Sequence, residues 1–82
     1  MDFDLLERLD QGEQFIKTLG FYNVRLRLHQ DILRIEVDKK DFILFLEQKE
    51  DILEKLKELD FLYITLDLEG FRSGSMDLKI VK

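Results

Sequence analysis

The spacing of apolar residues changes period several times along the chain, and each change predicts an element. Leu5, Leu9, Ile16 and Leu19 recur at helical spacing, which predicts an amphipathic helix. Asp4 followed by Glu7 reads as its N-cap, and Gly20 as its left-handed stop. Gly12, inside that helix, costs about 1 kcal/mol relative to alanine. From Phe21 the period falls to two. Val24, Leu26 and Leu28 alternate with Arg25, Arg27 and His29, and Leu33, Ile35 and Val37 alternate with Arg34, Glu36 and Asp38. These are two half-wet strands of a hairpin turning at Gln30-Asp31, a turn without the Asn-Gly signal. Helical spacing returns at Phe42, Phe45 and Leu46 and continues at Ile52, Leu53, Leu56 and Leu59. The polar run Glu47 to Asp51 between them predicts two short helices with a break near residues 47–50. Leu62, Ile64, Leu66 and Leu68 alternate with Tyr63, Thr65 and Asp67 as a third strand. A glycine-rich turn spans residues 69–75, and residues 77–82 are expected to be a loose tail.

The order α-β-β-α-α-β predicts a single α+β domain over residues 1–82, a two-layer sandwich with all helices on one face of a three-stranded sheet. An internal echo bears on topology. Lys17 to Leu28 and Lys57 to Leu68 each read as a helix end, a tight turn and a strand. A twofold normal to the sheet would set strands one and three side by side and antiparallel, which favours sheet order 3-1-2. Strand three beside strand two remains the alternative, through a right-handed crossover.

Composition narrows the class. Eighty-two residues without cysteine exclude disulfides, thiolate metal sites and a cysteine nucleophile within this stretch. A hydrophobic fraction of 45% is that of a globular chain. No run approaches the roughly 20 apolar residues of a membrane helix, and the expected setting is soluble and cytoplasmic. A net charge of −5 argues against a nucleic-acid backbone as partner.

With the aliphatic positions facing the helices, the opposite sheet face carries Arg25, Arg27, His29, Arg34, Glu36, Tyr63, Thr65 and Asp67. One reading is a solvated face laced with ion pairs. The other is a surface that meets an anion, a metal or another domain, because Arg-x-Arg on one strand projects two forked guanidiniums the same way. His29 lacks any neighbour at metal-ligand spacing and reads as a sheet-surface side chain. Ser73-Gly-Ser75 reads as a turn or as an anion-binding nest.

Two segments carry a family resemblance. Val24-Arg-Leu-Arg-Leu-His29 with Leu33-Arg-Ile-Glu-Val37 is one, and Ile64-Thr-Leu-Asp-Leu-Glu-Gly-Phe-Arg-Ser-Gly-Ser-Met76 is the other. Together, from about Leu5 to Met76, they resemble the C-terminal part of the ATP-dependent sacrificial sulfur transferases of the PP-loop superfamily. The resemblance implies a parent plan in which a PP-loop domain adenylates a substrate carboxylate with ATP and magnesium. A cysteine then gives up its sulfur, in nickel-pincer cofactor synthesis. This chain has neither the Ser-Gly-Gly phosphate loop nor a cysteine. It is expected to be either an excised C-terminal domain or a stand-alone copy.

Carried over by position, Arg25 and Arg27 match arginines turned toward a phosphate-bearing substrate. Glu36 matches an acid associated with metal at subunit contacts. Glu13 matches another, or is a rim residue in water. Asp60 stands where the family has a glycine turn, a geometry aspartate tolerates.

The expectation is a non-catalytic module of a PP-loop adenylating or sulfur-transfer enzyme, not an enzyme by itself. It would meet anionic substrate through Arg25 and Arg27, with a PP-loop ATP-binding domain or a homo-oligomer as partner and no nucleic acid or membrane. The alternative is a small acidic protein that binds a divalent cation, magnesium or calcium, or a protein partner. The candidate metal ligands are Glu13, Glu36 and Asp67, with Asp38, Asp41 and Glu69 as further oxygen donors.

Overall fold

The computed structural model describes residues 3–72. The expected tail at 77–82 and the Ser73 to Ser75 nest lie outside the described residues. The elements are α1 (Phe3–Thr18), β1 (Val24–His29), β2 (Ile32–Val37), a 3-10 turn (Lys39–Asp41), α2 (Phe42–Glu47), α3 (Lys49–Glu58) and β3 (Tyr63–Leu66). The α-β-β-α-α-β order is as the periodicity predicts, and the break between the two short helices falls at Gln48. Because α1 begins at Phe3, Asp4 sits in its first turn rather than at the N-cap. There its carboxylate still complements the positive end of the helix dipole. Gly20 closes the helix end with φ +110°, and Asp60 adopts φ +71° at the matching turn after α3.

One apolar layer joins sheet and helices. Ile16, Leu33, Ile35, Val37, Ile52 and Leu56 are buried almost completely, with Phe21, Val24, Leu26, Phe45 and Phe61 around them. Phe21 and Phe45 meet edge to face, with centroids 5.9 Å apart, a favoured aromatic geometry. Gly12 faces this layer. A Cβ there would stand 2.6 Å from Leu26 Cδ1 and 3.0 Å from Leu56 Cδ2, so its helix-propensity cost is offset by the close seat of α1 on β1 and α3.

The sheet order is β1-β2-β3, which corrects the favoured 3-1-2. β1 and β2 form the expected hairpin, with His29 opposite Ile32 and Gln30 in left-handed geometry at the turn. β3 lies parallel to β2, Leu33 opposite Ile64 and Ile35 opposite Leu66. The 25 residues between Val37 and Tyr63, with their two helices, form the crossover that parallel pairing requires. The internal echo is real in orientation, since β1 and β3 run in opposite directions. β2 lies between them, and its inward side chains Leu33, Ile35 and Val37 are fully buried, as suits a central strand.

Candidate functional site

Alternation along the three strands sends one set of side chains into the core and the other onto the open sheet face. The registers arrange that outer face in rows: His29, Ile32 and Tyr63; then Arg27, Arg34 and Thr65; then Arg25 beside Glu36. The Asp67 amide, bonded to the Ile35 carbonyl at 2.8 Å, carries its side chain in next to the last row.

Glu36 is the anchor of this face. Its side chain is 4% exposed although it lies on the non-helical side of the sheet, and Arg34 Nη2 approaches its carboxylate at 3.2 Å and Arg27 Nε at 3.8 Å. Arg27 and Arg34 are direct cross-strand partners, a like-charge pairing that would be unfavourable without the carboxylate beside it. Asp67 does the same for the next pair. One of its oxygens accepts the Glu69 amide at 2.9 Å, and the other faces Arg34 Nε at 3.7 Å and Arg72 Nη2 at 3.9 Å. Arg34 Nε is buried with no hydrogen bond. Arg72 also pairs with Glu69.

The segment after β3 folds back over this end of the sheet. The Phe71 amide bonds to the Val37 carbonyl at 2.8 Å, and the Arg25 guanidinium lies 5.5 Å from the centre of the Phe71 ring. Gly70 makes the close pass possible. Its φ is +81°, and a Cβ there would sit 3.0 Å from the Val37 carbonyl oxygen. Thr65 fixes the β3 side of the face through its hydroxyl, which donates to the Leu33 carbonyl at 2.8 Å.

The layering of charge is the chemical feature. Two carboxylates lie deep, Glu36 at 4% and Asp67 at 15% exposed, while Arg27 and Arg72 are each 46% exposed and Glu69, paired with Arg72, is 77% exposed. The acidic excess resides elsewhere: α1, α2 and α3 hold nine carboxylates against five basic side chains. The guanidiniums of Arg27 and Arg72 thus lie nearer the surface than Glu36 and Asp67, on a protein whose net charge is −5.

Of the residues singled out from sequence, Arg25, Arg27, Glu36 and Asp67 meet on this face. Glu13 does not join them. It projects from α1 to the edge of the sheet, where its carboxylate accepts the backbone N–H of Leu26 at 3.0 Å. Asp38 takes the Asn23 side-chain amide at 3.1 Å, Asp41 faces Lys40, and His29 is exposed at the far end of β1. Among the described residues no three His, Cys, Asp or Glu side chains converge as a metal site. Sequence reasoning missed Phe71 as the platform under Arg25. It lies beyond the last strand, where alternation has ended, so no periodicity marked it.

Fold and face together define a small α+β module, a mixed three-stranded sheet with helices on one side and an arginine-topped surface on the other. No protein-family model matches the chain. It is 39% identical over 79 residues, 96% of its length, to the pyridinium-3,5-bisthiocarboxylic acid mononucleotide synthase of Lactiplantibacillus plantarum. The matched stretch is the C-terminal part of that enzyme and 29% of its length. It is also 32% identical over 79 residues, 94% of its length, to an uncharacterized protein of Synechocystis, covering 30% of that protein. The chain thus spans under a third of the relatives it matches. None of the described helices is long and apolar enough to cross a membrane.

Proposed function

We propose that this chain is a non-catalytic module of an adenylating, sulfur-transferring enzyme of the PP-loop kind, and that its arginine-topped sheet face meets the anionic group of the substrate. The carrying observation is the 39% identity over 96% of the chain to part of a mononucleotide synthase. The geometry supports the substrate side of the reading. Arg25 and Arg27 leave the same strand in the same direction, Arg27 with its Nε 3.8 Å from the buried Glu36 carboxylate and Arg25 with its guanidinium 5.5 Å from the centre of the Phe71 ring. Forked guanidiniums held this way suit the oxygens of a phosphate. Glu36 and Asp67 act in this reading as orienting anions beneath the arginines. The module's role is to position and neutralise, and the nucleotide chemistry belongs to the rest of the assembly.

The test is a titration of isotopically labelled protein with adenosine monophosphate and, separately, with magnesium or calcium. Shifts at the Arg25, Arg27 and Arg34 side chains that fade with added salt are the expected result, because exposed charges are screened. Saturable cation-induced shifts at Glu36 and Asp67 with silent arginines would overturn the reading. So would pyrophosphate release from ATP by the isolated chain that disappears in Arg25→Ala.

A further inference from the structure

The open sheet face changes character along its strands. At the end nearest the β1–β2 turn, His29, Ile32 and Tyr63 stand side by side, with Ile32 47% and Tyr63 58% exposed. Arg27 and Arg34 stand opposite each other in the next row. The carboxylates gather at the other end, Glu36 and Asp67 beneath Arg34, and Glu69 paired with Arg72. An isoleucine and a tyrosine in register on the wet side of a sheet leave apolar surface uncovered where alternation usually places polar groups. Neighbouring strands lie about 4.8 Å apart, and successive outward positions on one strand about 6.6 Å apart. Ile32 and Tyr63 therefore make a platform about one ring wide, a single step along the strands from the two arginines.

We infer that the ligand of this face is a mononucleotide lying along the strands, with its phosphate at Arg27 and Arg34 and its planar ring on Tyr63 and Ile32. The inference rests on the reading of the arginine face as an anion site, and adds the direction in which the ligand extends and what receives its other half. Charge sets the direction. A ligand extending from Arg27 toward Glu36, Asp67 and Glu69 would run its anionic group into three carboxylates, and the Phe71 ring at that end already faces Arg25. Extending the other way it meets His29, Ile32 and Tyr63, none of them acidic. Stacking on an aromatic side chain is tolerant of the base, because every base has a π-face, while the forked guanidiniums suit phosphate oxygens. Arg34 thereby becomes the second phosphate contact, supplied by β2, beside Arg27 from β1. The ribose spans the step between the two rows.

The test compares adenosine monophosphate with ribose 5-phosphate, which lacks the ring, by magnetic-resonance titration of the labelled chain at low salt. Adenosine monophosphate should move the Arg27 and Arg34 side chains and the Tyr63 ring together. Ribose 5-phosphate should move the arginines alone and bind at least about fivefold more weakly, as expected for one lost base stack. Tyr63→Ala, at an exposed position, should bring adenosine monophosphate down to the affinity of ribose 5-phosphate, and Tyr63→Phe should keep the difference. Tyr22→Ala, which removes an 84% exposed ring ahead of β1, should change neither ligand. Equal affinities of the two ligands for the parent chain, or a nucleotide affinity indifferent to Tyr63→Ala, overturn the ring placement and leave the anion reading standing. A Tyr63 ring shielded from a soluble paramagnetic probe in the free protein also overturns it, since the platform would then be covered within the chain. Arginines silent to both ligands overturn the anion reading, and this inference with it.

Discussion

The Glu13 carboxylate accepts the backbone N–H of Leu26 at 3.0 Å, tying the middle of α1 to the free edge of β1. A charged residue at the border of an apolar stripe thereby acquires a structural reason. Removing the acceptor strands a part-buried amide, so Glu13→Ala should cost about 1–3 kcal/mol. Glu13→Gln keeps a carbonyl oxygen in place and should recover most of that. Urea unfolding of the two variants decides the matter: equal losses would mean the bond contributes nothing.

Leu26 itself is 4% exposed and packs against the seat of Gly12. Leu26→Ala should destabilise by about 2–5 kcal/mol, a large part of the stability of an 82-residue chain. Leu46→Ala, by contrast, removes a side chain that is 60% exposed, and should fall within about 0.5 kcal/mol of the parent. Thermal or denaturant unfolding separates the two, and similar losses would contradict the assignment of faces.

That assignment was legible because a strand's alternation has one meaning: Leu26 and Arg25 must point oppositely wherever the strand lies. The sheet order was not legible, because Ile64 to Leu68 carries the same pattern whether it neighbours β1 or β2. The decisive features are non-local. Glu13 occupies the β1 edge, and the crossover through α2 and α3 delivers β3 parallel to β2. The candidate face was half legible for a related reason. Arg25, Arg27 and Glu36 lie on strands and share a parity. Phe71 reaches Arg25 only because Gly70 bends the chain back, and Glu13 could be placed on a helix rim without any sign of the amide it serves.

Arg8 ties α1 to the far end of α3. Its Nε donates to the Leu59 carbonyl at 2.7 Å, its Nη2 to the Asp60 carbonyl at 3.1 Å, and its guanidinium lies 4.7 Å from the centre of the Phe61 ring. The carbonyls at a helix C-terminus have no partner within the helix, and a cation there also meets the negative end of the dipole. Arg8→Met keeps the aliphatic stem and loses the donors. The expected cost is about 1.5–3 kcal/mol, as for hydrogen bonds to a charged group. Amide exchange should quicken over residues 56–60 first. An unchanged exchange pattern would mean that water replaces the arginine without loss.

Glu36→Gln should leave Arg27 and Arg34 facing each other with Asp67, 3.7 Å from Arg34 Nε, as the remaining counter-charge. Both guanidiniums reach water, at 46% and 34% exposure, so solvent limits the penalty to about 1–2 kcal/mol. Added salt should shrink the difference from the parent, because the residual repulsion is screened. Stability measured at low and high salt checks this. A penalty independent of salt would assign the effect to packing around the buried side chain instead.

Gly70→Ala joins the fold to the proposed surface. At φ +81° an alanine is strained, and its Cβ would press on the Val37 carbonyl oxygen at 3.0 Å and on Lys39 Cγ at 2.9 Å. Left-handed geometry alone costs a residue with a side chain about 1–2 kcal/mol. The backbone contact cannot be relieved by a rotamer change, so residues 67–72 must shift. The first bond at risk is the Phe71 amide to the Val37 carbonyl, at 2.8 Å, and with it goes the ring under Arg25. The global stability loss should therefore be modest, while the Phe71 amide exchanges much faster and the Arg25 side-chain resonance moves toward that of a free arginine. Binding of adenosine monophosphate should weaken more than stability does, since Arg25 keeps its charge but loses the ring beside it. If the Phe71 ring contact vanished and nucleotide affinity did not change, the stacking of Arg25 would have no part in recognition.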